Sequence, residues 1–183
     1  MEQTSGQAKQ PLVSIIMGSA SDLSLMSEAA ETLETFEVGF EMFIASAHRT
    51  PDKVREIAGG AEARGVRVII AGAGLSAHLP GVIAAHTTLP VIGVPLKSGA
   101  LNGVDALYSI VQMPPGVPVA AVGVDSARNA ALLALQILAS GDGAASERLR
   151  ARMRDYREKM ASGVLSKDAE LQHKGYKGMT GKA

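Results

Sequence analysis

A chain of 183 residues, 46% hydrophobic and 20% charged, is long enough for one domain with a substantial core and short for two. Its 18 basic and 18 acidic side chains cancel, and 3% aromatics without tryptophan argue against a base-stacking platform for nucleic acid. Cysteine is absent, which removes disulfides, thiolate nucleophiles and Cys-ligated metals.

Residues 1–10, MEQTSGQAKQ, have no apolar stretch to serve as a signal peptide and read as a disordered lead-in. Residues 12–17 are a strand-length apolar run ending in Gly18-Ser19-Ala20-Ser21-Asp22. Ser21 or Asp22 is suited to cap the next element, where Leu23, Met26, Ala30 and Leu33 recur at helical spacing. Residues 38–44 read as a second strand, ending in Ala45-Ser46-Ala47-His48-Arg49. Thr50-Pro51 then opens a helix with Val54, Ile57, Ala58 and Ala61 on its buried face, closed by Gly65. A third apolar run, 66–70, gives way to Gly72-Ala73-Gly74, with His78 four residues on and a short helix over 80–88. Residues 90–94 form strand four, 95–103 a loop and 104–111 a helix; after the turn at 113–116, residues 117–122 form strand five. Residues 127–139 are apolar nearly all round, which predicts a helix buried on more than one side, between subunits included.

From Ala144 the character changes. Leu149, Met153, Tyr156 and Met160 mark a narrow apolar stripe on a charged helix, which needs something to dock on. Beyond Leu165 the chain has too little apolar content to fold alone. Residues 141–183 hold 10 basic and 6 acidic side chains against 8 and 12 before them, so the extension is mildly basic. No run approaches the roughly 18 apolar residues of a membrane span. The reading is a soluble, cytoplasmic protein with neither nucleic acid nor membrane as partner. It divides into the lead-in 1–10, a domain over 11–140, and a C-terminal helix and tail over 141–183 that dock on neighbouring subunits.

Strands alternating with helices predict an α/β fold with a parallel sheet and right-handed crossovers. Five strands in this length fit a flavodoxin-like three-layer sandwich ordered 2-1-3-4-5, with an added C-terminal helix. That order places the topological switch between strands 1 and 3. Loops 18–22, 46–50 and 72–81 should therefore line one crevice.

Each loop offers chemistry. Ser19, Ser21 and the backbone after Gly18, at a helix start, suit an anion; no Gly-Lys-Ser/Thr follows, so this is not a Walker loop. Asp22 suits a ribose diol or serves only as a cap. Arg49 ahead of a helix start opposes the local dipole unless an anion sits there, although a solvated arginine is equally consistent. His48 and His78 are the two histidines on this rim; His86 and His173 face solvent in this reading. Two histidines without acidic neighbours make a poor metal site, so no metal is expected. Gly72 to Ala77 also matches G-x-G-x-x-A, but it follows the third strand and no acidic residue ends a strand about 20 positions on.

Together, GSASD at 18–22, SAHRTP at 46–51, AGAG with AHLPG at 71–81, PVIGVP at 90–95 and ALNGVDALYSIVQMPPGVPV at 100–119 resemble the bacterial purine-biosynthesis family of N5-carboxyaminoimidazole ribonucleotide mutases. The likeness runs from about Val13 to Leu138. It implies conversion of N5-carboxyaminoimidazole ribonucleotide to 4-carboxyaminoimidazole ribonucleotide in IMP biosynthesis, with no cofactor, through enzyme-bound CO2 and in a homo-octamer. Under it, Ser19 and Arg49 hold the 5′-phosphate and Asp22 the ribose, and His48 is the general acid/base. Gly18, Ser21, Ser46, Ala47, Gly74, Ser76, Ala77 and His78 form the pocket's shell. Leu75 and Ser76 depart from the family's usual Gly and Ala, which implies a reshaped loop or a narrowed CO2 pocket, since leucine resists positive φ. The segment 123–128 is also shorter than usual. A CO2-dependent aminoimidazole ribonucleotide carboxylase and a non-catalytic nucleotide-binding module remain the alternatives.

Overall fold

The computed structural model describes residues 10–180; the expectation for the lead-in falls almost wholly outside them. The described residues form two compact units, divided after Ser140. In the first, five parallel strands are ordered β2-β1-β3-β4-β5. The strands are β1 (Val13–Met17), β2 (Phe40–Ile44), β3 (Val68–Gly74), β4 (Val91–Leu96) and β5 (Ala120–Ala121). Between them run α1 (Leu23–Thr35), α2 (Pro51–Gly59), α3 (Leu79–Ala84) and α4 (Val104–Val111), and α5 (Ala127–Ala139) follows β5. Helices α1 and α5 pack together on one face, while α3 and α4 cover the other with α2 beside α3.

A sheet covered on both faces buries every position of its central strands, so these read as continuous apolar runs. Ile15, Ile16, Ile69, Ile70 and Ile92 are fully buried. Strand β2, at an edge, is only half-buried.

Several boundaries move. Strand β3 does not stop at Ile70; Ala71 to Gly74 stay in the ladder, paired up to Gly74 with Leu96. Its glycines serve close packing: a Cβ on Gly72 would collide with Met26 Sδ, and one on Gly74 with Ser98 Oγ. Strand β4 likewise runs to Leu96. The expected fifth strand shrinks to two residues, because Pro118 has no N–H to give the ladder. Helix α3 ends at Ala84, and β2 begins at Phe40, after Gly39 has accepted from the amides of Leu12 and Val13. Helix α5 buries one side, Ala127, Ala130, Ala131, Ala134 and Leu135, and leaves Leu132, Leu133, Ile137 and Leu138 half-buried.

The second unit is α6 (Ala144–Thr180), broken by non-helical Gly175 at φ 64. The residues after Leu165, too polar to build a core, are nonetheless helical. Glu170 pairs with both Lys167 and Lys174 at 2.8 Å, the spacing that supports an exposed helix without burial. Among the described residues no helix is long and apolar enough to cross a membrane.

Candidate active site

The loop after β1 is built around Ser19. Its backbone is extended, and its Oγ accepts the Ser21 amide at 3.3 Å, capping a single turn of 3-10 helix, Ala20–Asp22. The Ser21 hydroxyl lies 2.9 Å from Ser19 Oγ and 3.3 Å from Asp22 Oδ1, so its one proton serves either. Asp22 stands at the N-cap of α1 but makes no side-chain capping bond there. The capping serine is thus Ser19, one turn earlier than the spacing suggested, and the Asp22 carboxylate remains available to a ligand. Burial pushes its pKa above the ordinary carboxylate value, opposed by hydrogen bonds from Ser19 and Ser21 and by the charge of Arg49.

The loop after β2 closes on itself. The Ser46 amide donates to Thr50 Oγ1 at 2.8 Å, the Thr50 hydroxyl returns to the Ser46 carbonyl, and the Arg49 amide donates to Ser46 Oγ. Thr50 is thereby drawn away from capping α2. The closure leaves His48 and Arg49 exposed at the tip. The Arg49 guanidinium reaches across to the Gly18 carbonyl at 2.9 Å, which ties loop 2 to loop 1 and gives the cation a partner.

The loop after β3 holds Leu75 at φ 55, in the left-handed region that leucine occupies at a cost. The anticipated reshaping is therefore not an avoidance of positive φ. Leucine accepts it and lies half out of the wall. His78 occupies the N-cap position of α3 without capping it. Its Nδ1 meets His48 Nε2 at 2.8 Å, the two rings being edge to face with centroids 5.0 Å apart.

These loops enclose one cavity of about 570 Å³. Gly18, Ser19, Ser21, Asp22, Ser46, Ala47, His48, Arg49, Gly74, Ser76 and His78 all border it. Ala77 does not: it is 1% exposed and packs into the core with Leu79 and Ile83, because the turn into α3 points its methyl inward. His86 is exposed and does not border the cavity, and His173, in the second unit, is exposed. Ala73, Leu75 and Leu79 line it as well, within the expected span 72–81, and Ser98 lines it from outside every loop expected there. Ser98 was readable from topology, since β4 is the neighbour of β3 and its loop must reach the same rim. Among the described residues no group of three or more His, Asp or Glu is placed to hold a metal.

The arrangement joins a hydroxyl-rich turn and a guanidinium to a pair of hydrogen-bonded imidazoles. One end can hold an anion, and the other can give and take a proton.

The family model described as AIR carboxylase matches residues 12–162. The chain is 68% identical over 128 residues to an N5-carboxyaminoimidazole ribonucleotide mutase of Pyrococcus abyssi, covering 70% of this chain and 74% of the relative. It is 59% identical over 154 residues to the enzyme of the same name from Pyrococcus horikoshii, covering 84% and 87%. A crystal structure of Treponema denticola PurE superposes with a TM-score of 0.78 at 32% identity, covering 88% of this chain and 98% of that one.

Proposed function

The chain belongs to the AIR carboxylase family, and we propose that it is an N5-carboxyaminoimidazole ribonucleotide mutase in which one imidazole, that of His48, both delivers and removes the proton of reaction. It converts N5-carboxyaminoimidazole ribonucleotide to 4-carboxyaminoimidazole ribonucleotide, a step of purine biosynthesis. The observation that carries the reading is the 2.8 Å contact between His48 and His78 at a cavity whose other wall presents Ser19, Asp22 and Arg49.

The 5′-phosphate lies against Ser19, Ser21 and Arg49, and the ribose hydroxyls donate to Asp22. The His48 imidazolium gives its proton to N5 as the carbamate C–N bond breaks, leaving the amine and CO2. The electron-rich C4 then attacks CO2, forming the new C–C bond. Neutral His48 takes the C4 proton as aromaticity returns, so protons balance over the turnover. The facing ring nitrogens of His48 and His78 share one proton, so each histidine fixes the other's tautomer. The small residues of β3 and its loop, Ala73, Gly74 and Ser76, bound the space in which CO2 is kept close, where proximity replaces a dilute encounter.

The chain assembles into a homo-oligomer, an octamer by resemblance. Two features support this: the half-buried Leu132, Leu133, Ile137 and Leu138 of α5, and the exposed Leu101, Val104, Tyr108 and Val111 on and beside α4. The stripe of α6 docks on a neighbouring subunit in that assembly, and light scattering measures its size. A cytoplasmic location suits a phosphorylated substrate, which does not cross a membrane unaided.

The test is turnover of N5-carboxyaminoimidazole ribonucleotide with bicarbonate removed. Formation of the 4-carboxy product supports the mutase. A requirement for aminoimidazole ribonucleotide and added CO2 would make the protein a carboxylase, and binding without turnover a nucleotide-binding module.

A further inference from the structure

We infer that Ser98 is a substrate-binding residue whose hydroxyl engages the carboxylate that the reaction moves, an inference that rests on the mutase reading. Ser98 lies two residues beyond β4 and borders the cavity. Its Oγ is buried and has no hydrogen-bond partner among the described residues. Ser14 Oγ and Asp105 Oδ1 share that condition, but neither residue lines the cavity. A buried hydroxyl without a partner carries a penalty that a ligand oxygen would remove.

A second observation concerns the wall opposite Ser98. A Cβ at Gly74 would collide with Ser98 Oγ and stand 3.3 Å from Ser98 Cβ and 3.2 Å from the Leu96 carbonyl. The backbone of Gly74 is an ordinary strand conformation, so its lack of a side chain serves space and not φ. That space belongs to the Ser98 hydroxyl.

Topology says which part of the substrate comes here. The order β2-β1-β3-β4 puts the loops after β1 and β2 on one side of the crevice and those after β3 and β4 on the other. Ser19, Asp22 and Arg49 occupy the first side, so phosphate and ribose lie there. The imidazole ring must then extend towards the second. On that side the side-chain donors among the lining residues are Ser76, His78 and Ser98. His78 is engaged by His48, and Ser76 is exposed at the mouth. Ser98 is left as the buried, unengaged donor beside the small residues of β3. A rotation about its χ1, between staggered positions, turns the hydroxyl from Gly74 towards the cavity. Ring N3 also accepts, but the charged acceptor on the ring's edge is the carboxylate, on N5 before the reaction and on C4 after it.

The experiment compares the wild-type protein and Ser98→Ala by calorimetry against two ligands, 4-carboxyaminoimidazole ribonucleotide and aminoimidazole ribonucleotide, with thermal midpoints measured alongside. A hydrogen bond to a charged acceptor predicts that the variant binds the carboxylated ligand about tenfold more weakly. Binding of aminoimidazole ribonucleotide, which has no carboxylate, should be unchanged. The midpoint of the free protein should hold or rise, since no hydrogen bond is lost there. Equal weakening of both ligands, no weakening of either, or a lowered midpoint overturns the assignment. Failure of the wild-type protein to convert N5-carboxyaminoimidazole ribonucleotide would instead sink the mutase reading, a result independent of the affinity ratio.

Discussion

Replacing His48 by asparagine removes the imidazole ring while keeping a planar polar group at the δ position. The asparagine amide stands where His48 Nδ1 stood and falls short of His78, so the 2.8 Å contact made by His48 Nε2 is lost with the ring. Ser46 and Thr50 hold the loop through their own bonds, which His48 does not share. The loss should therefore be one of proton transfer and not of shape. A positioned acid or base contributes about 10²- to 10⁴-fold, roughly 2.7 to 5.4 kcal/mol at 1.36 kcal/mol per tenfold. In the proposed mechanism the same ring gives a proton to N5 and takes one from C4, so the effect should sit at the upper end, with kcat down by about 10⁴-fold. Product formation from N5-carboxyaminoimidazole ribonucleotide without bicarbonate measures kcat, and calorimetry with aminoimidazole ribonucleotide measures binding. The expected result is near-normal binding with turnover almost gone. Turnover within tenfold of wild type would refute the assignment of the proton to His48.

Asp22→Asn should lose affinity for the ribonucleotide without losing stability. Burial raises the Asp22 pKa in the folded protein above its ordinary 3.8, so folding takes up a proton between those two values. Wild-type stability from this group is full below 3.8 and falls as pH rises through the raised value. The variant should therefore gain on wild type from acidic to neutral pH in urea denaturation, and a variant less stable at neutral pH would contradict this. Leu75→Gly removes a left-handed leucine, worth about 1 kcal/mol, and gives up the partial contact its side chain makes beside Gly99. Its thermal midpoint should stay within a few degrees while labelled bicarbonate enters the product faster than in wild type, and unchanged label entry would count against Leu75 as part of the wall that retains CO2. Gly93→Ala should destabilise the protein more than Gly72→Ala. The first methyl meets branched Ile110 as well as Pro80 and Val119, the second only flexible Met26. Overpacking of this kind costs about 1–3 kcal/mol, and thermal melts that rank the two the other way would refute the packing argument.

The sheet was legible because its strands advertise themselves. A run such as Val13 to Met17, buried at every position, occurs only where helices cover both faces. Strand order then brings Ser19, His48 and His78 together although they are distant in sequence. What the residues could not disclose was local. Whether β3 ended before or after Gly72 depended on Met26 and Ser98, which fill the space above its glycines and are contributed by other elements. Whether Ala77 faced the cavity depended on the angle at which the chain enters α3, and that angle turns it into the core. Strand order puts the loop after β4 on the same rim, but it does not single out Ser98 within it; only its hydroxyl's lack of a partner does that.

The backbone strain at the sheet's carboxyl edge shows what holds the second wall of the cavity. Leu75, Asn102 and Asp125 are non-glycine residues at positive φ, and they sit in the loops after β3, β4 and β5. Such conformations persist only when their surroundings over-determine them. Asp125 supplies part of that constraint: its Oδ1 accepts the Lys97 amide at 2.7 Å and its own amide donates to the Pro95 carbonyl at 2.9 Å. Val124 presses on Gly103, and Leu75 on Gly99. The loop of residues 97–103 is thus gripped from both neighbours, with Ser98 in its first turn. The segment 123–128 reaches β4 with Asp125 in the left-handed region, at φ 55. Asp125 thereby fixes the backbone of Lys97, the residue next in the chain to Ser98.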